Sequence, residues 1–121
     1  MKNVINWFEI VVEDLDRAVT FYETVMAVSL RREKMSEFDM AIFPHDPALP
    51  GGALVKCSQM KPSAQGVVLY LHTDDIAATL KRVTENGGEC TFSPQILPND
   101  IGTIALFTDT EGNRIGLHQP A

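Results

Sequence analysis

Basic residues are scarce in this chain: ten Lys and Arg stand against sixteen Asp and Glu, a net charge of −6 over 121 residues. An acidic domain without a basic stripe repels phosphate backbones, so nucleic acid is excluded as a partner. No apolar run approaches the ~18 residues that a membrane helix needs, so no membrane partner is expected. No apolar segment follows Met1 and Lys2, so no secretory leader is expected and the location implied is cytoplasmic. Cysteine is rare. Cys57 and Cys90 form neither a disulfide framework nor a C-x-x-C pair, and they read as reduced structural thiols.

What is present is an ordinary globular balance, 45% apolar and 21% charged. The length fits a single domain, residues 1–121, that buries somewhat more than ~60% of its unfolded surface. Residues 4–12 are β-branched and aromatic with no Gly or Pro, which predicts a strand with Ile5, Trp7, Glu9 and Val11 on one face. Asp14 follows as an N-cap. Leu15, Ala18, Val19, Tyr22, Val25 and Met26 then fall at helical spacing, ending near Ala27. Strands are predicted over residues 28–34 and 37–44, with Met35-Ser36 as their turn. The Pro- and Gly-rich stretch 45–52 predicts a loop, and 53–60 a fourth strand.

After the polar breaker at 61–66 the pattern restarts. Residues 67–73 predict a strand, Asp74-Asp75 a cap, and Ile76 to Thr84 a helix stopped by Asn86-Gly87-Gly88, with Gly87 at a left-handed C′ position. Short strands follow at 89–92, 101–108 and 114–119. The loop 93–100 between them is either a lid or a plain connection, and 109–113 is a turn. Laying Asp14 on Asp75 sets an offset of 61 residues (75 − 14). Under it Leu15 falls on Ile76, Val19 on Leu80, Tyr22 on Val83 and Trp7 on Val68. The chain therefore divides into two βαβββ modules, one about 1–61 and one about 66–121. Neither has enough core to stand alone. The fold class is α+β, two modules forming a cup-shaped, curved mixed sheet.

Three stretches, EIVVEDLDRAVTFYETVM, YLHTDDIAATLKRVTENGG and FTDTEGNRIGLHQ, resemble the vicinal oxygen chelate superfamily of glyoxalases, bleomycin resistance proteins and extradiol dioxygenases. The resemblance covers essentially the whole chain. One departure is Ala27, where such proteins often carry Gly. The resemblance implies a homodimer, and a divalent metal held by His, Glu or Gln from four strands. Carried onto this sequence, those ligand positions hold Trp7, Val55, Val68 and Gly116. None of these side chains can ligate a divalent cation, so neither metal nor cofactor is expected.

Alternation along the strands places further residues on the same face. The ligand-binding set is then Trp7, Glu9, Val55, Cys57, Val68, Tyr70, His72, Gly116 and His118. Such a floor, apolar with a few polar groups, suits a small molecule. Glu9, if desolvated, is the candidate proton-transfer group, and Tyr70 the candidate orienting donor. Against these stand plainer readings: a plug for Trp7, backbone-bonded Tyr70, solvated His72 and His118, a buried thiol for Cys57. His45 has no partner visible in the sequence. Three functions follow. One is metal-free sequestration of a small, partly apolar molecule, with an acidic surface that would suit cationic ligands. The others are a metal-independent isomerase or lyase using Glu9, and a metal enzyme with ligands relocated to Glu9, His72 and His118.

Overall fold

The computed structural model describes residues 3–121, so Met1 and Lys2, at the start of the first module's expected span, lie outside it. Asp14 takes an extended backbone and its carboxylate accepts the Arg17 N–H at 3.0 Å, which starts helix α1 (Leu15–Met26). The helix buries Leu15, Ala18, Val19, Phe21, Tyr22 and Val25. Ala27 ends it in the left-handed region (φ 54°), a conformation that costs an L-residue roughly 1–2 kcal/mol. Asp75 repeats the first device: its carboxylate accepts the Ala78 N–H at 3.0 Å and opens α2 (Ile76–Glu85). Gly87 follows with φ 98°, as expected of a residue just past a helix.

The first sheet runs β1 (Trp7–Val11), β4 (Gly51–Lys56), β3 (Phe38–Ile42), β2 (Arg31–Met35). The second runs β5 (Leu69–His72), β8 (Arg114–Gln119), β7 (Gly102–Thr108), β6 (Glu89–Leu97). β1 lies parallel to β4 and β5 parallel to β8, and the remaining pairs are antiparallel. The α+β architecture of two βαβββ modules is therefore as the sequence indicates.

Several boundaries differ, each for a physical reason. β1 begins at Trp7 rather than at residue 4, because its only ladder partner begins at Gly51. β4 contains Gly51 and Gly52, which composition assigns to a loop. A Cβ on Gly51 would run into the His45 ring, and one on Gly52 into the Phe8 ring. These glycines admit aromatic rings against a strand rather than making a turn. β6 extends through Pro94 to Leu97, with register irregularities on either side of Phe92 that accommodate the proline. Most of the expected loop 93–100 is thus strand. The true turn carries Asn99 and Asp100 at positive φ.

Among the described residues no strand ladder joins the two sheets. They are joined through their helix-facing sides. Ile10, Val12 and Leu54 of the first sheet share one core with Leu71, Phe107, Ile115 and Leu117 of the second, and α1 packs on α2 within it. Each such buried aliphatic or aromatic side chain contributes roughly 1.5–3 kcal/mol. At one end of this seam the turn 109–113 inserts into the first module. Tyr22 O–H donates to Asp109 Oδ2 at 2.5 Å, and Asn113 Nδ2 donates to the Val11 carbonyl at 2.8 Å. Among the described residues no helix is long and apolar enough to cross a membrane.

Candidate functional site

With one face of each sheet committed to the core, the opposite faces are available for binding. On the first sheet that face carries Trp7, Glu9 and Val11, paired in register with Gly51, Ala53 and Val55. Trp7 is 41% exposed. Its indole Nε1–H donates to Glu9 Oε2 at 3.3 Å, so ring and carboxylate are held side by side. The His45 ring covers Gly51 and meets Trp7 edge-on, with ring centroids 6.0 Å apart. His45 Nδ1–H donates to the Asp46 carbonyl at 2.9 Å, which leaves Nε2 free of that bond. The sequence offers His45 no partner. The Gly-Gly pair inside a strand is the signal that an aromatic ring comes close there.

Val55 and Cys57 do not line an open surface as expected. With Met40 and Ala53 they form a closed cluster; Val55 is fully buried and Cys57 nearly so. Ile42 packs against the same cluster, so these residues are closed off from solvent. Cys57 is a free, buried thiol.

The second sheet's open face carries Tyr70 and His72, paired with Gly116 and His118. Tyr70 is also 41% exposed, and its ring lies directly over Gly116, where any Cβ would collide with it. Gly116 is therefore covered by tyrosine and not presented to a ligand. His72, largely exposed, pairs with Asp74 at 3.3 Å. His118 Nε2–H donates to the Ile101 carbonyl at 2.5 Å. Val68 precedes β5 and is half-buried, outside the ladder.

Strand register also corrects one correspondence. Gly116 stands beside Tyr70, and Ala53 beside Glu9. Because Glu9 and Tyr70 are counterparts at the 61-residue offset, the partner of Gly116 is Ala53, two residues before Val55 on the same face. Neither alanine nor valine donates to a metal. Among the described residues no three His, Cys, Asp or Glu are grouped to hold an ion. Glu9, His72 and His118 are each bonded locally, to Trp7, Asp74 and the Ile101 carbonyl, and do not converge.

A groove of about 360 Å³ runs along β1, with Trp7 and Glu9 on one side and Val67, Leu69 and Arg114 on the other. Arg114 Nε in that groove is buried without a partner. A larger cavity of about 690 Å³ opens between the modules on their helix-facing sides. Tyr70, Gly116 and His118 line neither.

The acidic residues of the ending FTDTEGNRIGLHQ are spent on structure. Asp109 is nearly buried. It accepts Tyr22 O–H, the backbone N–H groups of Glu111 and Asn113, and Asn113 Nδ2. Burial, with the Asp109 charge beside it, pushes the Tyr22 hydroxyl well above its ordinary range. Glu111 Oε1 accepts the N–H groups of Glu13 and Asp14 at 3.0 and 2.9 Å, and Arg17 grips the same carboxylate at 2.7 Å. Burial alone would raise the Glu111 carboxyl; the bonds from Arg17, Asp14, Thr110 and Glu13 outweigh it and hold it down at about 2.

A repeated βαβββ unit, with one face of each sheet buried on helices and the other left open, defines the paired-module α+β proteins that build cups from curved sheets. The chain belongs to the Glyoxalase/Bleomycin resistance protein/Dioxygenase superfamily, whose sequence profile matches residues 4–117. A glyoxylase-like domain-containing protein from Didymella fabae is 29% identical over 119 residues, spanning 90% of this chain and 88% of the relative. TnmS3, an antibiotic binding protein from Streptomyces sp. CB03234, superimposes with a TM-score of 0.69 at 25% identity, over 99% of this chain and 98% of its own. A mutant glyoxalase I from Zea mays superimposes with a TM-score of 0.69 at 20% identity; it covers 94% of this chain, which spans 46% of the maize protein.

Proposed function

We propose that this protein binds a small, partly apolar molecule on the open face of its first sheet, without the divalent metal of the superfamily's enzymes, and that a second copy covers that face. The donor set carries this reading. Trp7 stands at the first strand's ligand position, and the corresponding positions elsewhere are Val68, Ala53 and a glycine beneath Tyr70. A carboxylate bonded to an indole that itself meets the His45 ring, in a chain of net charge −6, suits a ligand with a planar apolar body and a cationic or hydrogen-bond-donating group. The likeness to an antibiotic binding protein along nearly its whole length agrees with sequestration.

Glu9 and Tyr70 lie on separate sheets, so a second reading, a metal-independent isomerase or lyase with Glu9 moving a proton, depends on the same covering copy. Trp7 is the sole tryptophan, so its fluorescence reports on the face directly. Titration with a panel of planar aromatic cations is expected to give saturable quenching, weakened at least tenfold by Glu9→Gln. Stoichiometric divalent metal retained against chelator would overturn the metal-free assignment. A turnover that Glu9→Gln abolishes while quenching persists would replace sequestration by catalysis.

A further inference from the structure

The cavity of about 690 Å³ between the modules lies apart from Trp7, Glu9 and Tyr70, and shares only His72 with the open face of the second sheet. Its size falls within the ~300–1,000 Å³ usual for small-molecule sites. Phe8 and Phe43 wall it from the first module, Met26 from the end of α1, and Leu71 and Ala78 from the second module. Arg82 also lines it. Arg82 Nε donates to the Val25 carbonyl at 2.9 Å and Nη2 to Thr79 Oγ1 at 3.3 Å. Both partners are neutral. They tether the guanidinium in a fixed pose and leave Nη1 with no protein partner among the described residues. No ion pair neutralises Arg82 among those residues. A half-buried, pre-oriented guanidinium on an apolar cavity is built to receive a carboxylate.

Two aspartates line the same cavity and argue the other way, so their reach matters. Asp75 is committed to the Ala78 N–H, and Asp74 pairs with His72. Both are exposed at the rim. The two exposed carboxylates are screened by water. Arg82 is half-buried and tethered to the Val25 carbonyl and Thr79 Oγ1, so it is the cavity's fixed, partly desolvated charge.

We propose that this inter-module cavity is a second ligand site, taking a small apolar molecule that carries one carboxylate, with the carboxylate on Arg82 and the apolar body against Phe8, Phe43 and Leu71. The test is a titration of the ¹⁵N-labelled protein with 4-phenylbutyrate, its neutral amide and the corresponding amine. The carboxylate is expected to move the amides of Phe43, Leu71, Ala78 and Thr79 saturably, with the amide at least tenfold weaker and the amine weaker still. Ala78→Phe should fill the space and abolish these shifts, leaving Trp7 fluorescence unchanged. Arg82→Gln should erase the preference for carboxylate over amide. Ala78→Phe leaves Arg82 untouched, so the test stands even if Arg82→Gln fails to fold. Equal or tighter binding of the amine would overturn the proposal. So would shifts confined to Trp7, Glu9 and Tyr70, or indifference to Ala78→Phe. Because the two sites report through different residues, failure here is distinct from failure of binding at Trp7.

Discussion

The two modules share their topology and their Asp-capped helices, but differ in the segment before the last strand. In the first, the segment before the last strand lays His45 over the module's own sheet at Gly51. In the second, the corresponding turn leaves its own sheet and plugs the other module, with Asp109 on Tyr22 and Glu111 on the start of α1. The helices differ likewise. α1 takes two of its N-terminal bonds from the opposite module through Glu111, whereas α2 receives Gln119 Oε1 at the Ile76 N–H, from its own module's last strand, at 2.8 Å. Repetition of a fold therefore does not repeat a role: one module keeps the open Trp7–Glu9 face, and the other supplies the clamp.

The sharpest test of that asymmetry compares Asp109 in the plugging turn with Ala48, an exposed residue of the first module's corresponding segment. Asp109→Ala strands a buried phenol, a side-chain amide and two backbone donors. It is expected to cost about 3–5 kcal/mol. Ala48→Asp should stay within about 0.5 kcal/mol. Urea unfolding of both variants measures the difference.

A smaller effect is expected at Glu111. Glu111→Gln should cost about 1–2 kcal/mol, the loss of a charged cap. It should also change the acid limb of stability. The folded carboxyl is held at about 2, against an ordinary value of 4.5. Its contribution is therefore complete above about 4.5 and drains away as pH falls toward 2. Denaturant midpoints followed from pH 6 to pH 2 should fall less steeply in the variant. An unchanged slope would place the acid sensitivity elsewhere.

The smallest contrast is between the two helix exits. Ala27→Gly is expected to stabilise by about 0.5–1 kcal/mol, since glycine adopts the left-handed region without strain. Gly87→Ala, at φ 98°, is expected to destabilise by about 1 kcal/mol or more. Thermal unfolding of the pair should move in opposite directions.

Much of this architecture is legible before any coordinates. Asp14 and Asp75 announce their helices, and the spacing between them discloses the repeat. What escapes is contact-dependent. Gly51-Gly52 reads as a loop by composition because nothing local reveals that His45 and Phe8 need the space above them. Pro94 reads as a breaker because a bulge that admits it is invisible until β7 is placed beside it. Val55 in place of Ala53 as partner of Gly116 is a two-residue slip, which preserves the face and hides itself. Of the candidate residues, Trp7 and Glu9 lie side by side on an open face, joined by a hydrogen bond. Val55 and Gly116 lie on the expected strands and Cys57 just past the end of β4, but neighbouring side chains cover all three. His45 and Arg82 acquire meaning only through residues distant in the chain.

The bond between Glu111 and the start of α1 carries a consequence in time. Asp14 and Glu111 are 97 residues apart. At ~5–20 residues per second of synthesis, roughly 5–20 s separate the appearance of the first helix from that of its second capping group. During that interval α1 has only Asp14 to hold its first turn and no Asp109 to satisfy Tyr22. The apolar face of the first module must wait, exposed to whatever the cell offers it, until the clamp has been made.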